Sequence, residues 1–185
     1  MASTASAEPI GATLALRRLY VIRFVFAAAW AALLLVSGSE LTVGAKLLLF
    51  LYPVFDVAAA VVDARSARAA GPVKGLYANM AVSVLAALGI AVASTSGVPD
   101  VLRVWGAWAV VSGLIQLLVG VARRPMGGQW AMILSGGISV LAGATFIRSA
   151  TQDHPSLTPL AGYATLGGIF FLVSAIRLSR STPRS

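Results

Sequence analysis

"KLLLFLYPVFDVAAAVVDAR", residues 46–65, is apolar over the length a bilayer demands, yet it holds a proline and two carboxylates. At 1.5 Å per residue, twenty helical residues span about 30 Å, the thickness of the hydrocarbon layer. The run lacks the strict apolar–polar alternation of a membrane barrel strand, so it reads as a transmembrane helix. With the helix centred near Pro53, Asp56 falls about 4–5 Å to one side of the midplane. Asp63, one heptad further on, reaches the interface and needs no special account. Asp56 does.

The rest of the 185-residue chain resembles this stretch: 58% of its residues are apolar and only 11% are charged. Soluble domains carry about a quarter charged residues, and one core of this size could not hide so much apolar surface. Six runs approach the required length, at residues 19–37, 41–62, 73–93, 101–122, 129–146 and 160–178. Between them lie "SGSE", "DARSARAAGP", "STSGVPD", "RRPMGG" and "SATQDHPSLTP", rich in turn formers and charge. The expected fold is an all-α membrane protein of six helices, with a flexible tail over 1–15, a transmembrane domain over 16–180 and a short tail over 181–185. The first run is longer than a signal-peptide core, and "VSGSE" is a poor cleavage site, so it reads as a retained helix.

Charge sets the orientation. Arg17 and Arg18 precede the first run; Arg65, Arg68 and Lys74 flank the second loop; Arg123 and Arg124 lie in the fourth; Arg177, Arg180 and Arg184 close the chain. The other loops hold Arg103 and Arg148 beside Glu40, Asp100 and Asp153. By the positive-inside rule both termini are cytoplasmic. Arginines placed in this way record topology, and no aromatic–basic patch points to nucleic acid. With no cysteine, the chain has no disulfide, thiolate metal site or cysteine nucleophile. His154, the sole histidine, lies in an outer loop without the partners of a histidine metal site. No cofactor motif and no nucleophile–base arrangement occurs, so no enzyme is expected.

The chain also repeats. "SVLA" occurs at residues 83–86 and 139–142, and the same step of 56 lands on residues 27–30. In the even-numbered runs, "AWAVVSGLIQLLVG" around Gly113 parallels "GYATLGGIFFLVSA" around Gly168, with Asp56 at the equivalent place upstream. Three antiparallel hairpins are the simplest account. Small residues predict the packing, because lipid tails are as apolar as leucine and close backbone approach must hold the helices together. Gly106, Gly113 and Gly120 recur every seven residues; Ser135, Ser139 and Gly143 form a second stripe; Gly167 and Gly168 lie midway along the sixth run. Such faces serve packing within one chain or a homo-oligomer. Trp105, Trp108 and Trp130 read as interfacial anchors near helix ends.

Arg23, Asn79, Gln116 and Ser135 fall about 4–10 Å to the cytoplasmic side of the midplane, close to the depth of Asp56. An unaccompanied charge there costs about 2.5–3.5 kcal/mol, so Asp56 is expected to face the interior, paired or protonated. Arg23, on the preceding antiparallel helix, is its natural partner. Two readings follow: a structural Arg–Asp clasp with Asn79 and Gln116 satisfying what remains, or a proton- or ion-handling site used in transport.

With these pieces placed, the chain resembles the HdeD family of small bacterial inner-membrane proteins. The resemblance rests on "WGAWAVVSGLIQLLVGVARR" (105–124), "GQWAMILSGGISVLAGATFI" (128–147) and "LAGYATLGGIFFLVSAIRLS" (160–179). These are similar to that family's repeated helix, its "W-x-L-x-x-S-G" helix and its closing glycine-rich helix. The resemblance implies six helices, an inner-membrane location and a non-enzymatic role associated with acid resistance. It brings no catalytic or binding residues with it, and Asp56 departs from the small residue that the family carries there.

Overall fold

Runs this apolar, in which glycine and alanine replace bulky β-branched residues at intervals, form helices because lipid offers backbone groups no other partner. The computed structural model describes residues 7–38, 40–67, 74–122, 124 and 129–181. These form α1 (Ala7–Ser37), α2 (Val43–Ala67), α3 (Lys74–Ala93), α4 (Val98–Ala122), α5 (Trp130–Ser149) and α6 (Thr158–Ser181), with no strand among the described residues. All six contain a stretch long and apolar enough to cross a membrane. The chain is a multi-pass integral membrane protein. Residues 7–15, expected as part of a tail, continue α1 instead; residues 1–6 and 182–185 lie outside the described residues.

Local chemistry places the helix ends. α1 stops at Gly38, whose φ of +74° suits glycine. α3 ends in turns that finish at Gly97 (φ +129°), whose N–H donates to the Ala93 carbonyl at 3.2 Å. Thr42 caps α2 by accepting the Ala45 N–H on its hydroxyl at 3.2 Å. Ser156 does the same for Thr158 at the start of α6, also at 3.2 Å. Inside α2, Pro53 has no N–H to give the Leu49 carbonyl. One residue earlier, the Leu48 carbonyl accepts the Trp30 indole N–H at 2.6 Å, tying α1 to α2 beside the proline.

Each helix packs on its neighbours in sequence, and α6 returns to α1, which closes a ring. The junctions alternate. α2–α3, α4–α5 and α6–α1 are close, whereas α1–α2, α3–α4 and α5–α6 are looser, α5–α6 most of all. The tightest seam is α4–α5, and its cause is the glycine stripe. A Cβ on Gly106 would lie 2.6 Å from the Gly143 carbonyl oxygen, and one on Gly113 would lie 2.7 Å from that of Gly136. On Gly120 it would meet Ile133 at 2.9 Å. Gly106, Gly113, Gly120, Ser139 and Gly143 thus serve contact within the chain, with Gly136 as an unforeseen member. On α6 the two glycines part company. Gly168 closes on Ala27 and Phe24 of α1, but a Cβ added to Gly167 would meet nothing within 4 Å.

Aromatic side chains fill the half of the ring away from the arginine-rich ends. Trp30, Tyr52, Trp105 and Trp108 form a cluster with ring centroids 4.7–6.0 Å apart in tilted and edge-on pairs. Phe26 stacks on Phe55 beside it, with centroids 3.7 Å apart. Trp105 and Trp108 are therefore not interfacial anchors; they are 0% and 8% exposed. The physical reason is depth. α4 begins at Val98 rather than near 101, which carries Trp105 about 10 Å and Trp108 about 15 Å along the helix from its start. Trp130, at the first residue of α5, is 60% exposed, with the Arg124 guanidinium 4.9 Å from its ring. Outward faces carry Leu47, Leu85, Val92, Leu118 and Leu141, the surface lipid covers.

Candidate functional site

Asp56 lies near the middle of the span Val43–Arg65 and points toward its neighbours in the bundle. Its Oδ1 accepts the Arg23 Nη2–H at 2.8 Å, making an ion pair between α1 and α2. Its Oδ2 accepts two more bonds from α3, from Asn79 Nδ2 at 2.8 Å and from the Ser83 hydroxyl at 2.9 Å. The Ser83 oxygen in turn accepts the Trp108 indole N–H from α4 at 3.1 Å. Behind Arg23, the guanidinium carbon sits 4.8 Å from the centroid of the Phe171 ring on α6. One connected network therefore joins α6, α1, α2, α3 and α4.

Helical spacing builds it. Asn79 and Ser83 are four residues apart and share one face of α3, so both reach the same carboxylate oxygen. Trp108 lies on the α4 face with Trp105, turned inward by the aromatic cluster. A carboxylate offers about four lone-pair sites; three are engaged here, leaving one on Oδ1. The side chains of Arg23 and Asp56 are 13% and 22% exposed, so the pair is mostly screened from its surroundings. In a medium of low dielectric this is how a charge at mid-depth is tolerated: opposite charge at contact distance, with hydrogen bonds on the remaining atoms.

Of the five polar residues expected at this depth, the structure joins Arg23, Asp56 and Asn79 and leaves two apart. The buried Gln116 Oε1 has no partner among the described residues and lies on the α4 face of Ser112, whose hydroxyl is likewise buried without one. Ser135 lies on α5 beside a small cavity of about 30 Å³ that Ser139, Tyr163 and Gly167 also line. There the Ser139 and Tyr163 hydroxyls hydrogen-bond at 2.8 Å, a polar tie across the loose α5–α6 junction. Ser83, Trp108 and Phe171 complete the network and were not anticipated. A signal for Ser83 existed, since the 56-residue step equates it with Ser139.

Ala27, Ser83 and Ser139, related by that step, each meet an even-helix residue (Gly168, Asp56 and Gly113) that recurs at 57 and 55 residues. Ser83 bonds Asp56 across α2–α3; a Cβ on Gly113 would lie 2.8 Å from the Ser139 Cβ across α4–α5; a Cβ on Gly168 would lie 3.2 Å from the Ala27 Cβ across α6–α1. A close approach between these members occurs at each close junction, and only in the first is the even-helix member charged.

The described residues contain no cluster of three His, Cys, Asp or Glu side chains placed to bind a metal. No family model matches the chain, and comparison with curated proteins and with solved structures gives no match.

Proposed function

We propose that this chain is a non-enzymatic scaffold of the bacterial inner membrane, akin to the HdeD family and acting in acid or envelope-stress protection, with Asp56 as its structural clasp. The observation that carries the clasp is the engagement of both carboxylate oxygens by Arg23, Asn79 and Ser83 from two flanking helices. A carboxylate so occupied is a fastener. Exposed Arg17, Arg18, Arg65, Lys74, Arg124, Arg177 and Arg180 sit at the ends expected on the cytoplasmic side, which supports cytoplasmic termini. Three like contacts across the close junctions support a three-hairpin repeat. Gly106, Gly113, Gly120, Gly136 and Gly143 of α4 and α5 are spent inside the chain, so self-association through glycine falls to Gly137 on α5 and to Gly162 and Gly167 on α6, where an added Cβ would meet nothing within 4 Å.

A second reading, proton-coupled transport through Asp56 and Arg23, draws on the remaining lone-pair site of Oδ1 and on the partial exposure of the carboxylate. One strain comparison separates them. Deletion is expected to lower survival at acid pH, and the Arg23→Leu/Asp56→Leu double variant is expected to restore it without any solute or proton flux in proteoliposomes. A double variant that folds but fails to protect, with flux present in the parent, transfers the case to transport. A deletion strain with unchanged acid survival removes the stress role.

A further inference from the structure

At the end of the bundle opposite the arginine-rich helix ends, α2 and α3 part to leave a groove of about 190 Å³. Val43, Leu47, Phe50 and Ala91 make it apolar, and it opens sideways on lipid-facing surface, with Val43 76% and Leu47 64% exposed. Two features distinguish it from the other outward faces. Lys46 lines it and takes part in no ion pair among the described residues; Glu40, the acid nearest in sequence, does not engage it. Ser94 also lines it; this residue is 6% exposed, and its hydroxyl has no hydrogen-bond partner among the described residues. A buried hydroxyl left alone in an apolar wall is destabilising unless something accepts or donates to it. A lysine at helix-end depth carries its charge toward the headgroup layer on an apolar stem.

We propose that this groove binds one phospholipid of net negative charge, its acyl chain along Leu47, Phe50 and Ala91 and its headgroup oxygens on the Lys46 ammonium and the Ser94 hydroxyl. A soluble phosphate would satisfy the cation and leave the apolar walls bare. A zwitterionic lipid would fill the walls and bring its own cation to Lys46. Only an anionic lipid matches both halves. The site is independent of the Asp56 network and of the stress role proposed above.

The test is native mass spectrometry of the full-length protein offered phosphatidylglycerol, phosphatidylcholine or inorganic phosphate. One retained phosphatidylglycerol is expected, preferred over phosphatidylcholine about fivefold, the effect of one lysine near a charged headgroup. Lys46→Gln is expected to level that preference while leaving the melting temperature unchanged, since the side chain makes no ion pair among the described residues. Ser94→Val is expected to weaken retention of phosphatidylglycerol. Ala91→Phe, at an exposed position, is expected to abolish retention of both lipids by filling the groove. Equal retention of the two lipids by the parent overturns the proposal, as does a Lys46→Gln protein that keeps its preference. So does inorganic phosphate that displaces the lipid, or Ala91→Phe folded with its lipid still bound.

Discussion

The α4–α5 and α2–α3 junctions hold equivalent places in the ring, yet they are closed by opposite means. Across α4–α5 the side chains are taken away: Gly106, Gly113, Gly136 and Gly143 bring backbone onto backbone, where many small attractions accumulate. Across α2–α3 a charged side chain is inserted, and the junction is held by directed bonds from Asn79 and Ser83 to Asp56, whose charge Arg23 balances from α1. The first device tolerates no added atom. The second tolerates no missing partner. A helix pair in lipid, denied the hydrophobic effect, is fastened by contact or by polarity, and this chain uses each where its sequence allows.

The largest effect is expected from Gly113→Leu. Its Cβ alone would lie 2.7 Å from the Gly136 carbonyl oxygen, and backbone on both sides leaves nothing to yield. A loss of about 3 kcal/mol or more in detergent unfolding is expected, against which a melt like the parent's would show the seam to be plastic. Asp56→Leu follows, at about 2–4 kcal/mol, because Arg23 is left charged and mostly buried while Asn79 and Ser83 lose their acceptor. Adding Arg23→Leu is expected to recover about 1–2 kcal/mol in the same assay; strict additivity of the two losses would mean the ion pair is not the unit of stability. Ser83→Ala removes one bond to Asp56 and the acceptor of the Trp108 indole, for about 0.5–1.5 kcal/mol. Tryptophan fluorescence offers a separate readout, since the freed indole changes its surroundings. Smallest of all is Gly167→Ala, whose new methyl meets nothing within 4 Å. Stability within about 0.5 kcal/mol of the parent is expected, and a larger drop would reveal a neighbour outside the single chain.

Much of this was legible in the sequence because lipid imposes length and charge rules that a linear reading can apply. Helix number, the pairing of Arg23 with Asp56 and the inclusion of Asn79 all follow from height in the bilayer. Height says nothing of angle. Gln116 and Ser135 have the right depth, but the Gln116 Oε1 is buried without a partner among the described residues and Ser135 lies beside the cavity of the Ser139–Tyr163 pair instead. Gly167 and Gly168 are adjacent in the chain and about 100° apart around α6, so only one of them finds α1. Trp105 and Trp108 differ in depth rather than angle: α4 starts at Val98, three residues before the apolar run, and this sets both rings below the interface in the aromatic cluster. Rotation about a helix axis is fixed by the neighbours it meets, and those are set by the whole ring.

Closure of that ring has a consequence for biogenesis. α1 finds its closest partner in α6, so it leaves the ribosome five helices before the surface that will cover it. Through most of synthesis, Ala27 and the Arg23 guanidinium wait in the bilayer for Gly168 and Phe171. Asp56 arrives first and quiets the charge, which lets the nascent chain bide its time until translation delivers the final segment.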